Sequence, residues 1–318
     1  MIVTAPVELK RESEANSLAL PPNETDVSAK DQPRNRDPRG HSRASAAKGP
    51  SLIIEAGRRT GLELDNLWAH RDLFYILVWR DIKVRYKQTI LGAAWAVLQP
   101  LFGMVVFTFL FGRLARVPSE GEPYAIFSYA GLLPWNFFAT AVTFGSNSLV
   151  STSNLITKVY FPRILVPTAA LGAALLDMSI AAVILLVMMP ICGVSYHLSL
   201  LLLIPLSALT ALTAAAIAIW TAALNVKYRD IRYALPFAIQ MLMFLTPVIY
   251  PVTFLPTRWR WLLRLNPLSG IIEGFRSAIF GRPFDFIGLA VSILMICLLL
   301  VASTYVFRRM EDDFADII

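Results

Sequence analysis

Five arginines and two tryptophans lie close together between residues 258 and 282, in a segment that separates two long apolar stretches. The planar guanidinium group of arginine forms paired, charge-assisted hydrogen bonds with phosphate and carboxylate groups. Tryptophan rings favour the boundary between a membrane and water. We therefore expect the segment to hold anionic groups at a membrane surface, either those of a ligand or those of lipids. The residues that carry this prediction are Arg258, Trp259, Arg260, Trp261, Arg264, Asn266, Pro267, Glu273, Arg276 and Arg282.

An asparagine–proline pair, Asn266-Pro267, divides this segment into two pieces that are each too short to cross a bilayer. Short helices that dip into a membrane are tolerated only where they are buried in protein or line a cavity. The pattern predicts two short re-entrant helices on the outer face, over about residues 257–282. Glu273 and Arg276 are three residues apart on the second helix and are predicted to pair with each other.

The elements that must position this segment are long apolar stretches. A hydrophobic share of 56%, a charged share of 16% and a mean hydropathy of +0.57 exclude an ordinary soluble domain, in which about 25% of residues are charged. Each apolar stretch reaches the roughly 20 residues that a transmembrane helix needs, so we predict an all-α integral membrane fold. The six predicted spans are TM1 between Lys87 and Arg113, TM2 between Glu122 and Lys158, TM3 and TM4 within 163–227 with a turn at Cys192–Ser199, TM5 between Arg232 and Arg258, and TM6 between Asp285 and Arg308.

The distribution of lysine and arginine predicts the orientation of the chain. If the N-terminus is cytoplasmic, the inner loops carry about twice as many of these residues as the outer ones, which is the usual bias. Residues 1–50 are rich in Pro, Ser, Asn and charge, and they are predicted to form a disordered cytoplasmic tail. The transmembrane domain is placed at residues 89–310, and residues 311–318 form a short cytoplasmic C-terminus.

The region 51–88 contains a predicted amphipathic helix directly before TM1. Trp68, Tyr75, Trp79 and Tyr86 fall on one helical face, whereas the charged residues lie largely on other faces. Such a helix typically lies in the plane of the membrane interface. A soluble helix packed on a partner is the alternative, and the direct continuation into TM1 favours the interfacial position.

Two short loops on the predicted cytoplasmic side combine basic and aromatic residues. The first loop spans residues 154–168, in which two prolines restrict the backbone, and the second spans residues 224–236. Each could be an interfacial anchor or a peg that docks in a groove of another protein, and these residue types favour neither. The candidate residues are Lys158, Val159, Tyr160, Phe161, Pro162 and Arg163 in the first loop and Tyr228, Arg229 and Asp230 in the second.

Asp177 is the one acidic residue deep in a predicted span. Ionisable residues within membranes are candidates for function, but a single carboxylate provides no proton relay. We expect Asp177 to be structural and to bond a Ser, Thr or Asn of a neighbouring helix. An ion-coupled secondary transporter would need several buried carboxylates, and a membrane enzyme would need a cluster of His, Asp or Glu. With three histidines in the chain, neither class is favoured.

Four motifs, in this order along the six predicted spans, resemble one known family. They are GLLPWNFFATAV at 131–142, NLITKVYFPRILVP at 154–167, the stretch 224–251 from LNVKYRDIRYALP to TPVIYP, and LNPLSGIIEGFRSAIFG at 265–281. The chain is similar over roughly residues 65–310 to the permease subunits of ABC-2 type exporters for polysaccharides, which include O-antigen, capsule and teichoic-acid permeases. The N-terminal tail is longer than the pattern of this family.

This resemblance implies a bacterial inner-membrane protein that works as a homodimer, with a pore between the two copies. Each copy would bind a separate ATPase chain, and that partner would hold ATP and Mg²⁺. The permease itself would bind no cofactor and no nucleic acid and would not be an enzyme, because the chain has no G-x-x-x-x-G-K-[ST] phosphate loop. The loop 154–168 would be the coupling helix in the ATPase groove, with the loop 224–236 nearby, and the segment 257–282 would form the outer gate.

The implied substrate is a polysaccharide, expected to be linked to a lipid through a diphosphate. Arginine suits a diphosphate, and aromatic rings can stack on sugars along a path, although the same rings also suit the interfacial belt of a membrane protein. Export of another amphiphile, such as a lipid or a drug, is the alternative within the family, and the motifs do not distinguish one glycan from another. The aromatic residues expected to line the path are Trp135, Phe137, Phe138, Phe244 and Tyr250.

Overall fold

The structure is a computed structural model that describes residues 68–87, 94–156, 158, 161–311 and 314. The predicted tail at 1–50 and the predicted coupling residues Val159 and Tyr160 lie outside the described residues. Within the described ranges, every regular element is a helix. In chain order the α-helices are α1 (Arg71–Lys87), α2 (Ala94–Phe107), α3 (Tyr124–Ser151), α4 (Ser153–Ile156), α5 (Leu165–Ala169), α6 (Leu171–Ile191), α7 (Leu203–Lys227), α8 (Ile231–Leu245), α9 (Thr257–Arg264), α10 (Pro267–Phe280) and α11 (Phe286–Glu311). A π-helical turn at Thr108–Leu114 continues α2, and short 3-10 helices lie at Leu198–Leu202 and Val252–Phe254.

Five helical stretches in the described part of the chain are long and apolar enough to cross a membrane. They coincide with the predicted TM1, TM2, TM3, TM4 and TM6, and the predicted turn at Cys192–Ser199 separates the third from the fourth. The chain is therefore a multi-pass membrane protein. The stretches are Ala94–Leu114, Tyr124–Ser151, Leu165–Ile191, Leu198–Lys227 and Phe286–Glu311.

The predicted TM5 is not an unbroken helix. Helix α8 has 15 residues and ends at Leu245, which at 1.5 Å per residue gives about 22 Å, less than the roughly 30 Å of a hydrocarbon core. Thr246 is extended, with φ −98° and ψ 139°, because the following Pro247 disfavours helical backbone at the residue before it. The prediction of one helix over this whole stretch is wrong, and the count of six spans stays a prediction.

Helix α3 is the most buried of the five long helices and forms the centre of the bundle. Its residues Phe127, Tyr129 and Phe138 are almost completely buried, and α2, α6, α7 and α10 surround it. Small residues allow α3 and α7 to approach closely, since a side chain at Gly145 would lie 2.6 Å from the β-carbon of Ala218. The core is thus formed mainly around one helix.

The helix bundle has two ends that differ in their residues. The basic end is formed by the loop after α3, the corner between α7 and α8, and the end of α11, which share a buried cluster containing Leu149, Phe161, Val226 and Phe307. The opposite end is formed by the loop before α3 and the segment 246–285, which the Arg282–Glu122 ion pair joins. The arginine-rich segment therefore lies at the opposite end.

Helix α1 lies against α5 and α6. Leu77 is buried in a small cluster with Leu165 of α5, while the predicted aromatic face is exposed, with Trp68, Tyr75 and Trp79 between 48% and 71% accessible. The stripe that faces α5 at Leu77 is thus aliphatic, and the rings of Trp68, Tyr75 and Trp79 are exposed. This arrangement suits the predicted interfacial position, in which the rings would meet lipid.

Candidate functional site

The first loop of the basic end is fastened to the bundle by two of its predicted coupling residues. Phe161 is only 5% exposed and lies in the cluster of the basic end. Arg163 donates a hydrogen bond of 2.7 Å to the carbonyl oxygen of Glu311, and its guanidinium group lies 6.0 Å from the ring of Phe314. Phe161 is thus buried and Arg163 half-buried, with contacts inside this chain. That they couple this chain to another protein stays a prediction.

Other residues of the two loops are free to meet a partner. Lys158 is exposed, and so are Tyr228, Arg229 and Asp230, with Tyr228 54% accessible. Within residues 161–311, Arg229 and Asp230 form no ion pair with each other, although the sequence allowed one. Asp230 also forms no side-chain cap at the start of α8. The basic end thus presents exposed charged and aromatic side chains from both loops, and Pro162 is half-buried.

The Asn266-Pro267 pair separates two short helices, as predicted. The Asn266 side chain accepts a hydrogen bond of 3.1 Å from the backbone of Leu268, which caps α10, and Pro267 is its first residue. The Asn266 amide also donates a bond of 2.8 Å to the hydroxyl of Thr246. The cap of α10 is therefore tied to the break after α8.

Arg276 is almost completely buried and holds the irregular backbone after α8. Its guanidinium group donates hydrogen bonds to the carbonyl oxygens of Val248 at 2.8 Å and Tyr250 at 3.3 Å. The same group stacks on the ring of Phe127 at 3.8 Å and lies 3.9 Å from Glu273, which confirms the predicted pair. Arg276 was expected at the outer gate as a binding residue. The structure instead gives it a role in packing.

Gly131 allows α3 to pack closely against Arg276 and the backbone that it holds. A β-carbon at Gly131 would lie 2.7 Å from the carbonyl oxygen of Val248 and 3.1 Å from the guanidinium group of Arg276. Only glycine leaves the space that the hydrogen-bonded carbonyl occupies. The glycine of the GLLPWNFFATAV motif is thus part of the same contact.

Two further arginines of the segment also have partners within the chain. Arg260 donates to the carbonyl oxygens of Leu255 and Thr253 at 3.0 and 3.2 Å. Arg264 pairs with Asp285 at 3.1 Å. These contacts hold the segment together and do not leave a cluster of free guanidinium groups.

Arg282 joins the segment to the loop before α3. It pairs with Glu122 at 2.9 Å and with Glu120. Glu120 also accepts a hydrogen bond of 2.7 Å from Thr253.

Arg258 is the exception within the segment, because it is exposed and its one contact in the described chain is with the Trp259 ring at 5.8 Å. Trp259 and Trp261 are 48% and 58% exposed.

The aromatic residues expected along a path have different environments. Trp135, Phe137 and Phe138 are at most 3% exposed, so these three rings lie in the packed core of α3. Phe244 at the end of α8 is 51% exposed, and the hydroxyl of the half-buried Tyr250 donates to its carbonyl oxygen at 3.1 Å. The structure therefore leaves Phe244 and part of Tyr250 accessible.

Asp177 is paired with α1. Its carboxylate lies 2.6 Å from the guanidinium group of Arg85 and accepts a hydrogen bond from the hydroxyl of Tyr86. Burial, together with this hydrogen bond, raises the pKa of Tyr86 to about 12, so Tyr86 stays a neutral donor. The predicted Ser, Thr or Asn partner is wrong, because α1 packs against α6 at this point. The pairing was missed because sequence spacing placed Tyr86 on the lipid-facing stripe.

Comparison with known proteins agrees with this architecture. Residues 72–280 match the family described as ABC-2 type transporter. The chain is 26% identical over 248 residues to an O-antigen export system permease protein RfbA of Klebsiella pneumoniae, covering 78% of this chain and 95% of that protein. It is 28% identical to the protein of the same name from Myxococcus xanthus, covering 79% and 96%. It is 22% identical to the polysialic acid transport protein KpsM of Escherichia coli, covering 63% and 78%.

The family match spans most of the described helices, from the start of α1 to the end of α10. It includes both loops of the basic end and the arginine-rich segment with its break at Asn266-Pro267. From its multi-pass helical fold and this match, we conclude that the chain belongs to the ABC-2 type transporter family.

Proposed function

We propose that the chain is the permease subunit of an ATP-driven exporter that moves a lipid-linked polysaccharide out of the bacterial cytoplasm across the inner membrane. The observation that carries this proposal is the similarity over nearly the whole length of O-antigen export permeases. A separate ATPase would supply the energy, since the chain has no phosphate-loop motif. Both termini would be cytoplasmic, so that the basic end faces the ATPase.

Deletion of the gene tests this function in the cell. Loss of the permease should remove the polysaccharide from the cell surface. Immunoblots should show that the glycan stays on the cytoplasmic side of the inner membrane. Restoration by the intact chain supports the proposal. Unchanged surface polysaccharide in the deletion strain would contradict it.

The ATPase would dock on the basic end, through the exposed Lys158, Tyr228, Arg229 and Asp230 and through Val159 and Tyr160 of the first loop. Support comes from the way this surface is fastened. Phe161 shares a buried cluster with residues of α3, α7 and α11. A displacement of the loop would therefore be transmitted to three long helices. A loop anchored in this way can transmit a movement of the ATPase, whereas a loosely tethered loop would absorb it.

Charge reversal at this surface should weaken the complex. We expect Lys158→Glu combined with Arg229→Glu to reduce binding of the ATPase about tenfold or more, because opposite charges would be replaced by like ones at a contact. The measurement is co-purification and titration of the ATPase against the permease in lipid nanodiscs. The matched control is Arg258→Glu at the opposite end, which should leave binding unchanged. Equal binding by the double variant would place the ATPase elsewhere.

A polysaccharide path between two copies of the chain is supported by helix α8. Most of its side chains are exposed in the single chain, and they include the polar Gln240 besides Phe244. A polar side chain in the middle of a membrane helix normally faces protein or water and not lipid. We therefore assign α8 with Phe244 to the dimer path and Trp135, Phe137 and Phe138 to the core, although all four aromatic residues were candidates for the path.

Arg258 is the arginine of the segment that is proposed to meet the substrate diphosphate. Arg258→Ala should reduce export about tenfold or more, because a charge-assisted contact to an anion contributes about 1.5–3 kcal/mol. The measurement is the rate at which surface polysaccharide reappears after induction. Arg113→Ala, another exposed arginine of the opposite end, is the control for loss of one positive charge. An equal effect of both variants would mean that Arg258 contributes only to lipid contact or overall charge.

A further inference from the structure

A cavity of about 270 Å³ lies between α1, α2, α3 and α6. Its volume is just below the roughly 300–1,000 Å³ of typical small-molecule pockets. It can therefore hold one small ring but not several units of a polymer. The first two turns of α2 and the middle of α3 supply much of its wall, through Trp95, Gln99, Asn136, Phe137 and Thr140.

Three polar side chains on this wall have no hydrogen-bond partner among the described residues. They are Gln99 of α2 and Asn136 and Thr140 of α3. Polar groups further along α3 bond to their own helix, since Thr143 and Asn147 each donate to a carbonyl oxygen one turn earlier, at 2.7 and 2.9 Å. Gln99 is exposed and Asn136 and Thr140 are half-buried, so all three groups are accessible to a molecule that can form hydrogen bonds with them.

The charges around the cavity exclude an ionic occupant. Arg85 and Asp177 both line it, and they neutralise each other at 2.6 Å. A phosphate would have to compete with Asp177 for Arg85, and a cation would have to compete with Arg85 for Asp177. The wall therefore favours an uncharged molecule with several hydrogen-bonding groups.

The ring of Trp95, which is 56% exposed, completes the chemistry of the wall. An aromatic face attracts the weakly positive C–H groups of a sugar ring, while amides, a hydroxyl and a carboxylate can bond to sugar hydroxyls in both directions. Gln99 follows Trp95 by one helical turn on α2, so α2 presents an amide and a ring to the cavity, while α3 presents the amide of Asn136.

We propose that this cavity binds one uncharged sugar ring. The identity of the molecule that carries the ring rests on the proposed function, in which the cavity would hold one sugar of the polysaccharide near the cytoplasmic start of α2. The site belongs to a single copy of the chain and is distinct from the path assigned to α8. It would hold the glycan beside α1 before transport begins.

Binding can be measured by saturation-transfer NMR on the full chain in lipid nanodiscs, without sugar-based detergent. The probes are the methyl glycosides of glucose, galactose, mannose and N-acetylglucosamine, and inorganic pyrophosphate serves as the anionic probe. At least one glycoside should bind. Gln99→Leu combined with Asn136→Leu should weaken its binding about tenfold, because two hydrogen-bonding groups are lost.

A matched pair of variants on α3 controls for effects on packing. Thr140→Val, on the cavity wall, should weaken binding of the same glycoside several-fold, whereas Thr143→Val, whose hydroxyl bonds to its own helix, should not. If no glycoside binds, the cavity holds water only and the proposal is wrong. Equal binding in the wild type and in the Gln99→Leu/Asn136→Leu variant, or displacement of the glycoside by pyrophosphate, would also overturn it.

The outcome separates this proposal from the proposed function. Glycoside binding that depends on Gln99 and Asn136, in a chain that exports no polysaccharide, would keep the sugar site and overturn the export function. Polysaccharide export by a chain that binds no glycoside would keep the export function and overturn the sugar site.

Discussion

Arg276→Met should lower the free energy of unfolding by about 3–5 kcal/mol and abolish export. The substitution fills much of the same space but leaves the carbonyl oxygens of Val248 and Tyr250 without their donor. Removing one partner of a buried, charge-assisted contact typically costs this much, because the other polar groups stay buried and unpaired. The measurement is thermal or denaturant unfolding in a fixed detergent, together with an export assay in cells.

Two other variants make this test specific. Arg264→Met removes an exposed pair with Asp285 and should cost at most about 1 kcal/mol, as surface ion pairs usually do. Gly131→Ala should reproduce part of the defect, because its methyl group would meet the carbonyl oxygen that Arg276 holds. If Arg276→Met and Arg264→Met unfold alike, Arg276 does not fasten the break after α8.

Phe161→Ala should destabilise the protein by about 3–5 kcal/mol, the usual cost of emptying a buried phenylalanine site. The ring is 5% exposed and packs with residues of α3, α7 and α11. We also expect the ATPase to bind more weakly, because the loop that carries Lys158 would lose its anchor. Both effects can be measured on the purified permease, by unfolding and by titration with the ATPase.

Phe161→Leu is the control, because it conserves most of the apolar contact and should cost less than about 1.5 kcal/mol. The Lys158→Glu and Arg229→Glu substitutions should also weaken ATPase binding but, unlike Phe161→Ala, should leave the free energy of unfolding unchanged. An unchanged free energy of unfolding for Phe161→Ala would mean that the ring does not stabilise the core. The ring would then contact a partner protein, which the sequence alone suggested.

Much of the fold was predictable because it depends on local composition. Long apolar stretches between charged residues located five helices, and Asn266-Pro267 located the boundary between α9 and α10. The break in TM5 was missed, although its signal was present. Thr246 precedes Pro247 in the middle of the apolar stretch, and the residue before a proline resists helical backbone.

The roles of individual charged residues depend on contacts between distant parts of the chain, and spacing does not show these. Arg282 pairs with glutamates about 160 positions away, and Asp177 pairs with a residue of α1. Five arginines in one segment suggested a single anion site, but four of them hold carbonyls or carboxylates of the same chain. Arg258 is the one of these five without such a partner, and its contact with an anion stays a prediction.

A transport assay in inverted membrane vesicles measures the proposed function most directly. The vesicles would contain the permease with its ATPase and would be supplied with lipid-linked polysaccharide on their outer, originally cytoplasmic, surface. We predict that polysaccharide becomes protected from an added glycosidase only when both proteins and ATP are present, and that Arg276→Met abolishes this protection. Protection that arises without the permease, or none when permease, ATPase and ATP are all present, would contradict its assignment as the export path.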